Sequence, residues 1–536
     1  MAQNNVRFPT VNNRKNSLFL LRSYLIYFSI FAFIFQLTID SSVTNITCNA
    51  LSLFLFILTC IVTLHPRNDS PERALIAVVI FFICISNSLF TMLGTLAEGH
   101  SLTNTLLIPS ETFFHRTIYN LCLIIAFLFT QSQLFLPIRS LSYRLGSLTK
   151  TRSILPVKAV WMLGIIGFSS YILKQLSLSV TFIKILDGFG FLTWTPFILL
   201  VPPYTIKKGK QRLLLLLYYG IQIGLSLANN SRLGMVGPLS VILMGWLYGL
   251  LLGYININSK IILRGILFSF IGIVLSSQLV QISNAILVGR AGRESRSSLE
   301  QIKVTLEYIK DSQALQDLKN EQLMENSRKD IWQENYVANP FFARFIQIKF
   351  DDNCLYRIST FSSKDFEQLE DITTQKNLAL MPEPMLQFLR IGVNKKEVNS
   401  YSLGDLIDVI SGRGFLGGLK TGSIPAHAYA IYKERYPLVL ILMYSVIFGI
   451  VQGLFGIKRK FGQQTNSIPT LAMLLPFHLY TWLTPDGITS LYSLLFRGMW
   501  QTILLYFISI LIIKRLGLLR QKNPSLALSN KEAIQS

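Results

Sequence analysis

The residues of this chain best suited to chemistry lie in and around Arg290 to Tyr436, a polar stretch set into an otherwise apolar sequence. It closes with Ser411-Gly-Arg413-Gly-Phe-Leu-Gly-Gly-Leu-Lys420-Thr-Gly-Ser423-Ile-Pro425-Ala-His427. Gly412, Gly414, Gly417, Gly418 and Gly422 permit close backbone approach, Arg413 and Lys420 supply positive charge, and a helix starting near Ser423 presents free N–H groups. Together these suit a diphosphate, although a flexible turn ahead of a surface helix uses the same residue types. His427 falls in the first turn of that helix, where the positive dipole end disfavours the imidazolium and leaves a neutral ring able to accept a proton. The structural alternative is a histidine on a helix surface. Asp405 and Asp408, three residues apart, are alternative bases, against the simpler reading of solvated loop carboxylates.

A second group of polar residues sits where charge is costly, inside or at the ends of apolar segments. Arg232, in Asn229-Asn230-Ser231-Arg232, occupies a very short turn, as a lipid-headgroup anchor or as a forked donor to phosphate. Arg497 begins ~6 residues inside the last apolar segment, roughly 9 Å deep at the helical rise of 1.5 Å per residue. His478 lies in the preceding segment, where a hydrogen-bonded packing role competes with a functional one. Lys174, Lys184 and Asp187 cluster at the ends of two more segments, and the three-residue spacing of Lys184 and Asp187 fits a structural ion pair. Arg232, His478, Arg497 and Lys184 share one depth, so together they read as a cationic pocket open on one side of the membrane, with Tyr429 on the His427 helix above it.

The elements that must hold these residues are membrane spans. Of 536 residues, 51% are hydrophobic and 15% charged, and a mean hydropathy of +0.44 is far too high for a soluble globular domain. About twelve segments are long and apolar enough to cross a bilayer: 17–39, 45–64, 74–93, 117–137, 157–176, 183–203, 213–228, 233–253, 261–287, 437–457, 468–484 and 491–513. The net charge of +22 follows the loops rather than a nucleic-acid surface. Lys207–Arg212, Lys260–Arg264, Lys458–Lys460 and Lys514–Arg520 fall after even-numbered spans, and the opposite loops are nearly free of Lys and Arg. Both termini are therefore expected in the cytoplasm and the 289–436 loop outside. The five cysteines are scattered and show no disulfide or metal-ligand spacing.

Within the large loop, Leu299, Ile302, Leu306 and Ile309 mark an amphipathic helix over 294–335, and 341–350 reads as a membrane-surface helix. Met381-Pro-Glu-Pro384 reads as a turn, and Ser423 with Pro425 as a helix start over 425–435. A cytoplasmic tail follows from 514.

This layout, with Ser231-Arg232 at an outer hairpin, resembles the bacterial oligosaccharide repeat-unit polymerases, also called O-antigen or exopolysaccharide polymerases. The local resemblance lies in Lys376-Asn377-Leu378-Ala379-Leu380-Met381-Pro382, in Gly417 to Tyr429, and in Phe496-Arg497-Gly498. It implies an all-α, GT-C-like membrane enzyme of the bacterial plasma membrane. Such an enzyme moves a glycan from one polyprenyl diphosphate carrier onto the sugar of another, by inverting transfer without a metal or other cofactor. On that resemblance Arg232, Arg413 and Arg497 hold diphosphate, and His427 or an acidic loop residue activates the acceptor hydroxyl. The implied partners are the lipid-linked oligosaccharide, membrane lipids and a chain-length regulator protein, with no nucleic acid. Arg413 stands before a looser glycine run than the family pattern. An O-antigen ligase shares the layout and differs in its acceptor, a lipid core. A transporter would favour charges along a continuous central path, a dolichol-type mannosyltransferase paired acids in its first outer loop, and a scaffold would tolerate changes at Arg232 and Arg497.

Overall fold

The computed structural model describes residues 11–149, 151–174, 180–204, 209–228, 233–261, 346–418, 420–456, 469–484 and 486–519, with 332–337 and isolated positions between them. Among these residues the chain is all-helical, and it is a multi-pass membrane protein. Six helices are long and apolar enough to cross a bilayer: Asn13–Ile39, Val43–Thr63, Pro71–Ala97, Pro109–Phe129, Ile424–Phe455 and Ile488–Arg515. Shorter apolar helices lie among them at Val157–Leu173, Ile185–Leu200, Val236–Leu251 and Thr470–Leu483. The expected span 261–287 and most of the expected 294–335 helix lie outside the described residues.

The helices alternate in direction, as their end contacts show. At one end Arg14 donates to the Pro66 carbonyl, the Ile257 N–H donates to Ser17 Oγ at 3.0 Å, Arg152 Nε donates to the Leu454 carbonyl at 3.0 Å, and the Thr470 N–H reaches the Ser153 carbonyl at 3.1 Å. Among the described residues this end carries Arg14 and Arg152. The other end carries the large loop: the Leu102 N–H bonds Gln36 Oε1 at 3.0 Å, and Leu107 and Ile108 bond Asp352.

Several boundaries differ from the sequence reading for local reasons. The third span bends at Ser88, where φ is −126° and ψ −82°, and its hydroxyl donates to the Cys84 carbonyl at 2.6 Å. Pro109 sits in the first turn of its helix, so this span starts eight residues before the expected 117 and ends at Phe129. Pro137 then begins a separate helix, Leu136–Leu148, instead of ending the span. The expected 183–203 span is an α-helix, Val180–Phe189, followed by a 3-10 helix, Gly190–Leu200, with Pro196 inside. Small residues bring these elements together: a Cβ at Gly167 would lie 2.3 Å from the Thr193 nitrogen, and one at Gly146 2.4 Å from the Leu454 carbonyl.

The large loop has its own core of Cys354, Leu355, Ile358, Leu369, Leu403, Ile407, Ala426 and Ala430. Its helices are α1 Ile348–Ile358, α2 Ser363–Leu378, α3 Glu383–Phe388, α4 Lys395–Val398, α5 Leu403–Ile410 and α6 Ile424–Tyr432. Met381 and Pro382 make the expected turn, and a capping box of Ser362 and Asp365 starts α2. The 341–350 stretch is not a membrane-surface helix. Ile346, Ile348 and Phe350 are buried in protein, and α1 packs between the Pro109–Phe129 span, α5 and α6.

Candidate functional site

In the glycine-rich stretch, α5 begins at Ser402, whose hydroxyl accepts the Asp405 N–H at 3.2 Å. Both of its carboxylates are buried. Asp405 Oδ1 accepts the Lys420 N–H at 3.1 Å, and Asp408 is clasped by Arg357 Nε at 2.7 Å and by Lys420 Nζ. The glycine run wraps over this pair. A Cβ at Gly414 would stand 2.2 Å from Asp408 Oδ2, one at Gly404 2.4 Å from the Lys420 carbonyl, and one at Gly422 2.0 Å from the Asp486 carbonyl. The close approach expected toward a diphosphate is thus made to the protein itself, to the Asp408 carboxylate and to the backbone of Lys420 and Asp486. Asp405 and Asp408 anchor the loop instead of meeting a substrate hydroxyl, and the Lys420 ammonium is engaged with Asp408 beside the Phe415 ring, 5.0 Å from its centroid. Arg413 is exposed, with Nη1 donating to Tyr356 Oη at 3.3 Å and the guanidinium over that ring.

Ser423 caps α6 as expected, accepting the Ala426 N–H at 3.2 Å, but His427 does not lie on a surface. It is fully buried. Its Nδ1 accepts the Ile488 N–H at 3.3 Å, which places the ring proton on Nε2, 2.8 Å from Thr373 Oγ1. The Thr373 hydroxyl in turn donates to the Leu369 carbonyl at 2.7 Å. With both nitrogens bonded, His427 ties α2 and α6 to the turn before Ile488 and offers no lone pair to a substrate. Tyr429 is half-buried, its ring 4.5 Å from His115, whose Nδ1 meets Tyr436 Oη at 2.9 Å.

Three carboxylates that the sequence reading passed over hold the loop to the bundle. Asp351 receives Arg116 Nε and, at 2.6 Å, the Ser423 hydroxyl. Burial pushes its carboxyl above the usual range, while Arg116 and Ser423 pull it back. Asp352 accepts from Leu107 N–H at 2.9 Å, Ile108 N–H at 3.0 Å, the Thr112 hydroxyl at 3.2 Å and Lys349 Nζ at 2.8 Å. Asp486 accepts the Leu403 N–H at 3.2 Å; burial raises its pKa, and the Leu403 N–H and Lys376 oppose that shift. The signal for this set was an Asp-Asp pair inside an apolar run and an arginine near the start of an apolar helix.

A cavity of about 290 Å³ opens within the bundle. Its polar lining is Asp187, Thr193, Gln222, Ser226, His478 and Thr481, and its aromatic lining Tyr171, Phe191, Trp194 and Phe477, with Gly234 beside Ser226. Ser226 and Gly234 lie near the facing ends of helices Lys210–Ala228 and Leu233–Leu251, so the cavity lies toward that end of the bundle. The Trp482 indole donates to His478 Nε2 at 3.3 Å, and Thr502 Oγ1 lies 3.0 Å from the same nitrogen. Asp187 takes Lys174 as an ion-pair partner across the junction between two helices, and the Lys184–Asp187 pair expected from the three-residue spacing lies outside the described residues. The Lys184 side chain and Arg232 lie outside the described residues, but Lys184 is on the Asp187 helix and Arg232 is two positions before Gly234.

Arg497 is exposed in a π-turn, Leu494–Gly498, and pairs with no carboxylate among the described residues. The next residue, Gly498, packs under the Trp482 indole that bonds His478. The structure therefore brings the helices carrying Lys184 and His478 to one chamber, packs the Arg497 helix against His478 and Trp482 through Thr502 and Gly498, and sets His427, Asp405, Asp408 and Lys420 apart in the loop core. The lining mixes polar side chains with aromatic faces, and two of its hydroxyls bond backbone carbonyls of other lining residues: Ser226 donates to the Gln222 carbonyl at 2.7 Å and Thr481 to the His478 carbonyl at 2.7 Å. Among the described residues no group of three His, Cys, Asp or Glu side chains is placed to hold a metal ion. Comparison with family models, with curated proteins and with solved structures returns no match for the chain.

Proposed function

We propose that the chain is a membrane glycosyltransferase that polymerises oligosaccharide repeat units carried on polyprenyl diphosphate. In this reading it has about twelve spans in a GT-C-like arrangement, both termini in the cytoplasm of a bacterium, and its loop at the outer face of the plasma membrane. The observation that carries the proposal is the cavity inside an apolar bundle, lined by Asp187, Gln222, Ser226 and His478 together with aromatic rings. A water-soluble substrate has no need of such a chamber, whereas a sugar held at the membrane by a lipid diphosphate does.

The reaction is a single displacement. The acceptor hydroxyl attacks the anomeric carbon, its proton passes to the Asp187 carboxylate, and the bond to the diphosphate oxygen breaks with the electron pair leaving on the diphosphate. Asp187 takes the part first given to His427, because Asp187 lines the cavity, beside its partner Lys174, whereas both ring nitrogens of His427 are bonded in the loop core. Arg497 and Arg232 stabilise the leaving diphosphate, where fixed guanidinium groups do the work without a metal. Arg413, at the loop surface, guides the incoming chain, and a chain-length regulator would meet this same face.

Purified protein incubated with lipid-linked repeat units should yield a product ladder. Asp187→Asn and Arg497→Ala should each slow its appearance by about 10²-fold or more without lowering the melting temperature. A full-rate ladder from both variants would sink this assignment. Transfer to a lipid-core acceptor with no ladder would move the reading to a ligase, and no transfer to any acceptor would favour transport.

A further inference from the structure

In the large loop, α3 leaves three of its neighbouring side chains uncovered. Phe388 is 85% exposed, Met385 50% and Leu389 45%, whereas Leu386 is 1% exposed. Positions 385, 388 and 389 have the i, i+3, i+4 spacing of one helix face, so the short helix turns Leu386 toward the protein and an apolar face away from it. Arg390, at φ 55°, follows directly and is exposed, as is Lys396. Lys395 bonds the Met381 carbonyl and lies 3.5 Å from Glu383, fixing the chain on either side of the face.

The position of this face in the molecule identifies its partner. Helix α2, which ends four residues before α3 begins, packs against α6 and against Ile488–Ser493 at the start of the last span. Near its end, Lys376 is close enough to Asp486, on the turn between two apolar helices, for their charges to interact. The chain therefore reaches α3 from the level at which the apolar helices end, where a bilayer's headgroups lie. Apolar side chains next to exposed cations at that level match the boundary between acyl chains and phosphates.

We propose that residues 385–396 form an interfacial foot. It seats Met385, Phe388 and Leu389 about 5–10 Å into the leaflet on the loop side, with Arg390 and Lys396 on lipid phosphates. The proposal is independent of the glycosyltransferase reading, since it requires only a membrane and the loop.

The test is Phe388→Cys carrying an environment-sensitive NBD dye, in full-length protein reconstituted into phosphatidylglycerol/phosphatidylethanolamine vesicles. Met385→Cys serves as a second position and Ser400→Cys as a solvent-exposed control. The five native cysteines are buried, so background labelling is low. Dye at 388 and 385 should emit to the blue of the control and be quenched several-fold more by a nitroxide on the upper acyl chain than by aqueous iodide. Iodide quenching equal to that of the control would place the face in water and overturn the proposal. Blue-shifted emission unaffected by the lipid nitroxide would mean that protein, such as a second copy, covers the face, and would overturn it equally.

Discussion

His427 and Asp187 illustrate how the same residue types part company once burial is known. The helix start at Ser423 was legible from Ser and Pro spacing, and so was the neutral state of His427. What could not be read was the partner of each ring nitrogen, because Thr373 lies 54 positions away and Ile488 61 positions away. Removing the ring should therefore act on stability. His427→Ala leaves a buried threonine hydroxyl and a backbone N–H without their partner, at a cost of about 2–4 kcal/mol. It should lower the melting temperature in detergent, and any activity loss should track the folded fraction. A His427→Ala protein that melts like wild type and is inactive would return the histidine to the reacting centre. Asp405 and Asp408 misled for a related reason: three-residue spacing describes a solvated pair and a buried, ion-paired one equally well, and only the positions of Arg357 and Lys420 decide between them.

The glycine run makes the same point for a segment. Its composition signalled close approach correctly, but the surface approached is α5 and the Asp486 turn. The individual glycines differ in consequence. At Gly422 an added methyl would meet the Asp486 carbonyl at 2.0 Å, whereas at Gly412, with φ 74°, it would enter open space. Gly422→Ala should cost about 1–3 kcal/mol through overpacking and displace the Leu403–Asp486 bond, while Gly412→Ala should cost only the left-handed backbone penalty of about 1–2 kcal/mol. Thermal melts of the two variants, with proteolysis of the 403–422 segment, separate these effects. Equal cleavage rates would refute the packing account. Six of the expected spans were legible because a 20-residue apolar window is a strong signal. Their bends were not, since Ser88, Pro109 and Pro196 change a helix's course without changing its hydropathy.

For the molecule as a whole, the alternation of basic loops predicted which turns share an end, and the contacts of Arg14, Ser17, Arg152 and Thr470 gather those turns together. The relative arrangement of these ends is thus fixed, and the proposed orientation, with the loop outside, rests on the positive-inside rule. Cysteines placed at Ser400 and Ser147 test it. A membrane-impermeant maleimide should label Ser400→Cys in intact spheroplasts and Ser147→Cys only after lysis, and the reverse pattern would invert the topology and place the loop in the cytoplasm.

The buried bonds of Asp351 and Asp352 have a bearing on traffic. Arg116 and Ser423 on one carboxylate, and Leu107, Ile108, Thr112 and Lys349 on the other, rivet the loop to the Pro109–Phe129 span. Opening even one such buried pair costs about 3–5 kcal/mol, so a loop that lifted away from this span at every turnover would be a slow gate. On the glycosyltransferase proposal, lipid-linked molecules would then reach the chamber sideways, between helices from the surrounding lipid, while the loop stays seated on this span.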